Sequence, residues 1–378
     1  MLSAVGVIFS NLHDSSIPEL TARRTMASVP FGCRYRLIDF PLSNMVNSGI
    51  TKIGVVVHDN YRSLMDHIST GKDWDLARRS GGIKILPPFI TAFGNSGARS
   101  LYKTRLEAIV GISEFILHCK EDVVVFSDCD TVCNIDISSV IKAHEDNKAI
   151  VTFVTAKPTS NYQTVIYDSY YAKSDEDGRI KELSLCTTQE KDEDIITNVT
   201  VIDRLYLLSL INEALSHGYT DIYRDILSSE VKIKKFFSYR IDSEILRVSS
   251  LQGYYSASMA LLDEQVRKTL INVKQRPVFT KVRNSAPTIY KDGASIKNSY
   301  IADGCEIEGC VENSIIFRGV KISKGSKVKN SIVLQNSFIG EASELNCVII
   351  DKDVTIKGAR VLSGDASMPF YVIKGAIV

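Results

Sequence analysis

Four arginines near the start of the chain form the densest group of side chains that could bind a charged ligand. Arg23, Arg24, Arg34 and Arg36 lie within 14 consecutive residues. A planar guanidinium can donate two hydrogen bonds to one phosphate or carboxylate, so this cluster is typical of an anion-binding site. A solvated charged face is the alternative that the sequence leaves open.

Two aspartates follow the apolar sequence VVVF at residues 123–126, which is a predicted strand. Ligand crevices of open α/β sheets lie beyond the carboxyl ends of the strands, so Asp130 and Asp136 are candidate ligands. For Asp130 we consider a contact to a metal or a sugar phosphate. A loop carboxylate or a helix N-cap is the alternative for both residues. Cys129 and Cys133 lack a second cysteine pair or a neighbouring histidine, which argues against a metal site there.

The composition excludes several function classes. The 378 residues suffice for two domains with separate cores. A formal net charge of +1 argues against general binding to nucleic acid or to a membrane surface. No apolar run reaches about 18 residues, so no transmembrane helix is predicted. The eight cysteines have no regular spacing, which favours reduced thiols. We therefore expect a cytoplasmic protein that binds neither nucleic acid nor membranes.

Residues 1–262 alternate short apolar runs with helical patterns. Apolar, β-branched strands separated by helices indicate an α/β domain with a Rossmann-like, mainly parallel sheet. The predicted strands are Ala4–Phe9, Lys52–Val57, Gly82–Leu86, Val123–Ser127, Ile150–Ala156, Val165–Ala172 and Val199–Asp203. The predicted helices between them are Leu42–Ser48, Tyr61–Ser69, Lys103–Cys119 and Ile137–Asn147. Residues 263–287 form a basic, proline-containing linker.

Residues 288–378 contain an internal repeat followed by a short tail. One row of repeats starts at Ile296, Val311, Val328 and Leu345, with offsets of 15, 17 and 17 residues. A second row of isoleucines, at positions 307, 322, 339 and 356, keeps the same three offsets. Stacked coils bury a continuous apolar column that one repeat could not bury alone, so this pattern predicts a parallel β-helix.

A β-helix also occurs in hexapeptide-repeat acyltransferases, which use a histidine of one coil as general base. The last histidine of this chain is His217, which precedes the repeats. Acyl transfer is therefore not the predicted activity.

Residues 28–50 read SVPFGCRYRLIDFPLSNMVNSGI, which resembles the start of a sugar-1-phosphate nucleotidyltransferase. Together with the C-terminal repeats, it resembles glucose-1-phosphate adenylyltransferase, also called ADP-glucose pyrophosphorylase, over essentially the whole chain. The resemblance implies that the β-helix is left-handed. The chain is most similar to the diverged, non-catalytic or regulatory partner subunit that some bacteria use in glycogen synthesis.

The residues that carry catalysis in that family differ here. The family binds nucleotide phosphates with a glycine-rich loop after the first strand, but residues 10–20 contain no glycine. The resemblance places Met26 and Cys186 where the family has lysines, and Arg247 where it has a metal-binding aspartate. Asp130 remains as the other metal-binding carboxylate. Losing one such contact typically costs about 2.7–4 kcal/mol of transition-state stabilisation, so impaired catalysis is expected.

The resemblance thus implies a regulatory, weakly active or inactive subunit without its own metal or cofactor. Its expected partner is a catalytic subunit that uses Mg²⁺. The two kinds of subunit would form a hetero-oligomer, which we expect to be a tetramer. In the family, basic residues at the positions of Arg23, Arg24 and Arg36 contribute to an effector site between the domains. With Arg34 they would bind a phosphate-bearing effector. Two alternatives are a self-sufficient enzyme that uses Asp130 and Arg247, and a sugar-phosphate or nucleotide sensor.

Overall fold

The first domain is built around one nine-stranded sheet. The computed structural model describes residues 2–88, 102–157, 169–186 and 194–378, without the side chains of residues 169 and 186. The strands of this sheet are β1 Ala4–Phe9, β2 Lys52–Val56, β3 Gly82–Leu86, β4 Val123–Asp128, β5 Val151–Ala156, β6 Ser169–Ser174, β7 Ile180–Cys186, β8 Asp194–Asp203 and β9 Phe236–Arg240.

Strands β4, β1, β2 and β3 lie side by side in that order and run parallel. In this part of the sheet Phe9 of β1 is paired with Asp128 of β4. The loops that follow these two strands therefore leave the sheet at the same edge. The structure thus confirms the predicted α/β fold, and these loops lie at the edge where the sequence predicts ligand binding.

The other half of the sheet is organised around β8, which pairs antiparallel with β4, β5 and β6. Strand β7 pairs antiparallel with β6, and β9 runs parallel to β5. Strands β7 and β9 are absent from the prediction, because their sequences, IKELSLC and FFSYR, do not alternate regularly between apolar and polar residues. Of the predicted strand Val165–Ala172, residues 165–168 lie outside the described part of the chain.

Helices cover both faces of the sheet. They comprise Pro18–Thr21, Asp39–Asn47, Arg62–Ile68, Arg105–Gly111, Ser113–Leu117, Ile137–Asp146, Arg204–His217, Ser228–Glu230, Leu251–Ala260 and Glu264–Leu270. The predicted helix Lys103–Cys119 is thus divided at Ile112. The predicted N-cap role of Asp136 is present, since its carboxylate accepts a hydrogen bond from the Ser138 amide at 3.0 Å. No helix within the described ranges is long and apolar enough to cross a membrane.

The second domain is a left-handed parallel β-helix with three sheets of five short strands each. The first sheet contains Ile289–Tyr290, Glu306–Ile307, Lys321–Ile322, Phe338–Ile339 and Thr355–Ile356. The second contains Ser295–Lys297, Cys310–Glu312, Lys327–Lys329, Glu344–Asn346 and Val361–Ser363. The third contains Tyr300–Ile301, Ile315–Ile316, Ile332–Val333, Val348–Ile350 and Phe370–Val372.

Both sequence rows lie where the repeat predicts. Ile296, Val311, Val328 and Leu345 are in register across the second sheet. The isoleucines of the other row are in register across the first sheet and are buried in the hydrophobic core of the β-helix. Several corners between coils have positive φ, for example at Asn313. Asparagine tolerates positive φ better than most residues.

The third sheet joins the two domains. The outward side chains Ile315, Ile332 and Ile349 belong to the hydrophobic core of the first domain. The Tyr255 hydroxyl donates a hydrogen bond to the carbonyl oxygen of Asn330 at 2.6 Å. The helix Glu264–Leu270, within the segment expected to be a linker, also packs into that core. A fixed crevice between the domains follows from this shared packing.

Candidate functional site

The parallel pairing of β1 with β4 brings their following loops together. His13, from the loop after β1, lies 2.6 Å from Asp128 and 3.7 Å from Asp130, measured from Nε2 to a carboxylate oxygen. Asp128 ends β4, and both carboxylates are buried. The imidazole thus lies against the two carboxylates at the edge where the sequence predicts ligand chemistry.

Asp130 is fixed by contacts from two other elements. The strand Thr131–Val132 pairs antiparallel with Leu246–Arg247, and this places the Arg247 Nε 3.1 Å from Asp130. The Asn198 amide donates to the same carboxylate at 3.2 and 3.3 Å. Burial opposes ionisation, but the charges of His13 and Arg247 and these hydrogen bonds lower the pKa of Asp130 to about 2.

Asp128 has its own guanidinium partner. Arg105, the first residue of the helix Arg105–Gly111, donates from Nη2 to Asp128 at 2.5 Å and lies over the Phe9 ring. Burial disfavours protonation of His13, but the Asp130 charge and the Asp128 hydrogen bond raise its pKa. The centre therefore contains two carboxylates that are balanced by two arginines and a histidine of the same chain.

The three side chains His13, Asp128 and Asp130 also form a set of ligand atoms within 4.8 Å of one another. Asp128 Oδ1 is buried and has no hydrogen-bond partner among the described residues. Mg²⁺ nevertheless does not fit this set. It prefers an octahedron of oxygens, and here each carboxylate already contacts a fixed guanidinium that would repel the ion. In this chain Asp128 and Asp130 therefore belong to an ion-pair network with Arg105, Arg247 and His13.

The loop after β1 lies where the resemblance predicts a phosphate-binding loop. Its polar groups form hydrogen bonds within the protein. The Met26 amide donates to Asp14 Oδ1 at 2.6 Å, and the Asn11 amide donates to Asp14 Oδ2 at 2.7 Å. The Ser10 hydroxyl donates to the carbonyl oxygen of Val56. A carboxylate of the protein therefore accepts a backbone hydrogen bond in the segment where the resemblance predicts contacts to phosphate oxygens.

Asp14 gives this loop a testable pH dependence. Burial raises the pKa of Asp14 to about 6, although the hydrogen bonds from Met26 and Asn11 oppose the shift. Because the folded state holds this proton more tightly than the unfolded state, the contribution of Asp14 to stability is present at low pH. It is lost as the pH rises through about 6.

Asp14→Asn should remove this dependence. Relative to the unaltered protein, its free energy of unfolding should rise by about 2–3 kcal/mol between pH of about 4 and about 7. Urea unfolding of both proteins across this range measures the difference. A difference that stays constant with pH would show that Asp14 does not titrate in the folded state as described.

A second candidate site lies between the domains. A cavity of about 330 Å³ is bounded by the loop around Tyr35, by residues 281–285 and by β-helix corners such as Gly319. Its basic lining residues are Arg34, Arg36, Lys281, Arg283, Arg318 and Lys352. Among the described residues that line it, Asp353 is the one carboxylate. This excess of positive charge in a partly enclosed volume suits a multiply charged anion.

The four arginines singled out in the sequence take different positions. Arg34 and Arg36 line the cavity, and Arg36 is held by donation from Nη1 to the Ser63 carbonyl oxygen at 2.6 Å. Arg24 is buried and its Nη2 contacts both oxygens of Asp351 at 2.6 and 2.8 Å. Arg23 is exposed and does not line the cavity. The arginine cluster therefore divides between a cavity wall and an interdomain ion pair.

The sequence predicts no role for His13 or Lys352. His13 lies in the glycine-free loop, so the absence of glycine was the available signal. Lys352 lies between the strands Val348–Ile350 and Thr355–Ile356, and nothing in its local sequence predicts proximity to Arg36. Met26, a predicted replacement of a lysine, is buried beneath the loop. The side chain of Cys186, the other predicted replacement, lies outside the described part of the chain.

The two domains and the site define the class of protein. A nucleotidyltransferase-type α/β domain is followed by a hexapeptide-repeat β-helix. Residues 17–184 match the Nucleotidyl transferase family, and residues 286–374 match the family described as GlmU-like, C-terminal hexapeptide.

The similarity to curated proteins extends over nearly the whole chain. The glycogen biosynthesis protein GlgD of Bacillus subtilis (strain 168) is 32% identical over 375 residues, covering 99% of this chain and 96% of that protein. GlgD of Geobacillus stearothermophilus is 34% identical, with the same two coverages. Glucose-1-phosphate adenylyltransferase of Thermosipho africanus is 29% identical, covering 87% of this chain and 78% of that enzyme. The chain belongs to the GlgD family of glucose-1-phosphate adenylyltransferase homologues.

Proposed function

We propose that this chain is a regulatory subunit, weakly active or inactive alone, of an ADP-glucose pyrophosphorylase in cytoplasmic glycogen synthesis. The observation that supports this proposal is the ion-pair network around Asp128 and Asp130. His13, Arg105 and Arg247 neutralise Asp128 and Asp130 from within the chain. ATP and Mg²⁺ would have to displace all three contacts, and the loop beside them offers no glycine-lined cradle.

The expected partner is a catalytic adenylyltransferase subunit in a hetero-oligomer, a tetramer, and it would supply the Mg²⁺-dependent chemistry. A second subunit can change the activity of the first only if it contacts two conformations of the partner differently. The match to glucose-1-phosphate adenylyltransferase of Thermosipho africanus covers 87% of this chain, and both domains have matching family models, which supports a shared assembly surface.

The basic cavity is the proposed effector site. Arg34 and Arg36 come from the first domain, whereas Arg318 and Lys352 come from the β-helix. An anion that contacts both sets would bridge the two domains and stabilise their arrangement. We propose a phosphate-bearing small molecule as the effector, because guanidinium and ammonium groups are the usual partners of phosphate oxygens.

The test is pyrophosphate release from ATP and glucose 1-phosphate with Mg²⁺, first by this chain alone and then with increasing amounts added to the catalytic homologue from the same cell. No turnover alone, together with a changed kcat or KM at saturating subunit ratio, is the expected result. Robust turnover alone would contradict the proposal and favour the self-sufficient enzyme with its Asp130 and Arg247 site.

An Arg34→Gln variant separates the effector site from subunit assembly. Arg34 is exposed and lines the cavity, so its loss should weaken the response to inorganic phosphate without preventing association with the catalytic subunit. Phosphate-dependent thermal stabilisation of the chain, with no effect on any adenylyltransferase, would favour the sensor alternative.

A further inference from the structure

Lys352 has an unusual position in the basic cavity. Its side chain is half-buried and lines the cavity beside Arg36. Within the described chain no carboxylate or carbonyl oxygen forms an ion pair or hydrogen bond with Nζ. The neighbouring carboxylate of Asp351 is engaged elsewhere, because it accepts hydrogen bonds from Arg24 and from the Tyr371 hydroxyl at 2.8 Å.

The charges around Lys352 are mostly positive. The positive charges that lower the pKa of Lys352 are those of Arg36, Arg24 and Lys374, and the negative charge of Asp351 opposes them. The cavity walls add further groups, namely Arg34, Lys281, Arg283, Arg318, His67 and Asp353. Burial, followed by the charges of Arg36 and Arg24, lowers the pKa of Lys352 to about 7. Without an anion, Nζ thus loses its proton within the physiological pH range.

We infer that an oxyanion with two negative charges enters this cavity together with one proton, which Lys352 Nζ takes up from solvent. This inference rests on the proposed effector site and adds its regulation. The proton adds to the lone pair of the neutral amine, and the resulting ammonium pairs with the anion. An opposite charge at contact distance favours the charged form of an amine, so the bound state holds the proton more tightly than the free state.

The consequence is a pH-dependent affinity. Below a pH of about 7, Lys352 is protonated before the anion arrives, and the affinity should change little with pH. Above it, each bound anion must recruit one proton, so the dissociation constant should rise by up to about tenfold per pH unit. The site would therefore respond to acidification as well as to the concentration of its ligand.

Isothermal titration with sulfate provides the test, because sulfate stays doubly charged across this range whereas phosphate monoesters titrate near pH 6. Titrations in two buffers with different ionisation enthalpies give the number of protons taken up. From a pKa of about 7, we expect about 0.9 proton per sulfate at pH of about 8 and about half a proton near pH 7.

Two variants identify the group responsible. Lys352→Arg retains a positive charge that does not titrate, so it should bind sulfate without proton uptake and with nearly constant affinity above pH 7. Lys352→Met should bind more weakly at pH of about 6.5, with no uptake at any pH. Uptake that persists in either variant would assign the proton to another group, such as His67, and overturn the inference.

The two proposals fail in different ways. If the unaltered chain binds sulfate in the cavity but takes up no proton, the coupling to Lys352 is wrong while the effector site stands. If Arg34→Gln and Lys352→Met leave sulfate binding unchanged, or no sulfate binds at pH of about 6.5, the cavity is not the anion site and both proposals fail.

Discussion

Replacing Arg24 by methionine is expected to destabilise the protein by about 3–5 kcal/mol. The guanidinium is buried between the domains, where Nη2 lies 2.6 and 2.8 Å from the two oxygens of Asp351. Methionine would leave the Asp351 carboxylate buried with the Tyr371 hydroxyl as a hydrogen-bond donor but without its cationic partner. Urea unfolding, followed by far-ultraviolet circular dichroism, measures the loss.

The double variant Arg24→Met, Asp351→Leu is the matched control. It removes both charges, so most of the lost stability should return, because neutral side chains of similar size replace buried ion pairs at little cost. Tyr371 would keep an acceptor in the carbonyl oxygen of Glu19 at 2.8 Å. Lys327→Met breaks an exposed pair with Glu344 and should change stability little. A small effect of Arg24→Met would mean that the interdomain pair contributes no more than a surface pair.

The same pair shows where sequence reasoning reached its limit. The sequence groups Arg24 with Arg23, Arg34 and Arg36 because the four lie within 14 residues. The side chains diverge because Arg24 precedes the turn Met26–Ser28, whereas Arg34 and Arg36 belong to a hairpin. Its two strands are Pro30–Phe31 and Tyr35–Arg36, with Arg34 in the loop between them. Asp351 is 327 residues further along the chain, so no local pattern connects it to Arg24.

The β-helix could be predicted because its periodicity is local and repeated. Successive coils stack the residues of each row in register, and nearly all of these residues are buried, so the offsets of 15 and 17 residues recur wherever the fold continues. The strand β8 had no such signal. Residues 194–198 extend β8 beyond the predicted start at Val199, and its pairing with β5 shifts register between Ile196 and Thr200.

The candidate centre was predictable in its position but not in its contents. Parallel strands β1 and β4 place their following loops together, which pointed to Asp130. His13 and Arg105 reach it only because the loop after β1 folds back and a helix begins at Arg105. The resemblance places Arg247 where the family has a metal-binding aspartate, and its Nε lies 3.1 Å from the Asp130 carboxylate. Its contact depends on a two-residue strand pairing that has no signature in sequence.

Arg247→Asp should make the stability of this protein depend on a divalent cation. The variant would face Asp130 with a second carboxylate and remove a guanidinium 3.1 Å from it. An unpaired charge of this kind in a buried site costs about 3–5 kcal/mol, so the variant should be strongly destabilised in the presence of a chelator. Mn²⁺, which accepts carboxylate and imidazole ligands, should restore part of the loss.

Unfolding in EDTA and in excess Mn²⁺ measures this response, and electron paramagnetic resonance counts the bound ion. At 100 times the dissociation constant, Mn²⁺ should stabilise Arg247→Asp by about 2.7 kcal/mol. Arg247→Met removes the guanidinium without adding a carboxylate, so it should lose stability without gaining an equal response. If the unaltered protein bound Mn²⁺ as tightly as Arg247→Asp, the arginine would not be what excludes the ion. The expected contrast would instead identify Arg247 as a positive charge that keeps a divalent cation from binding beside Asp130.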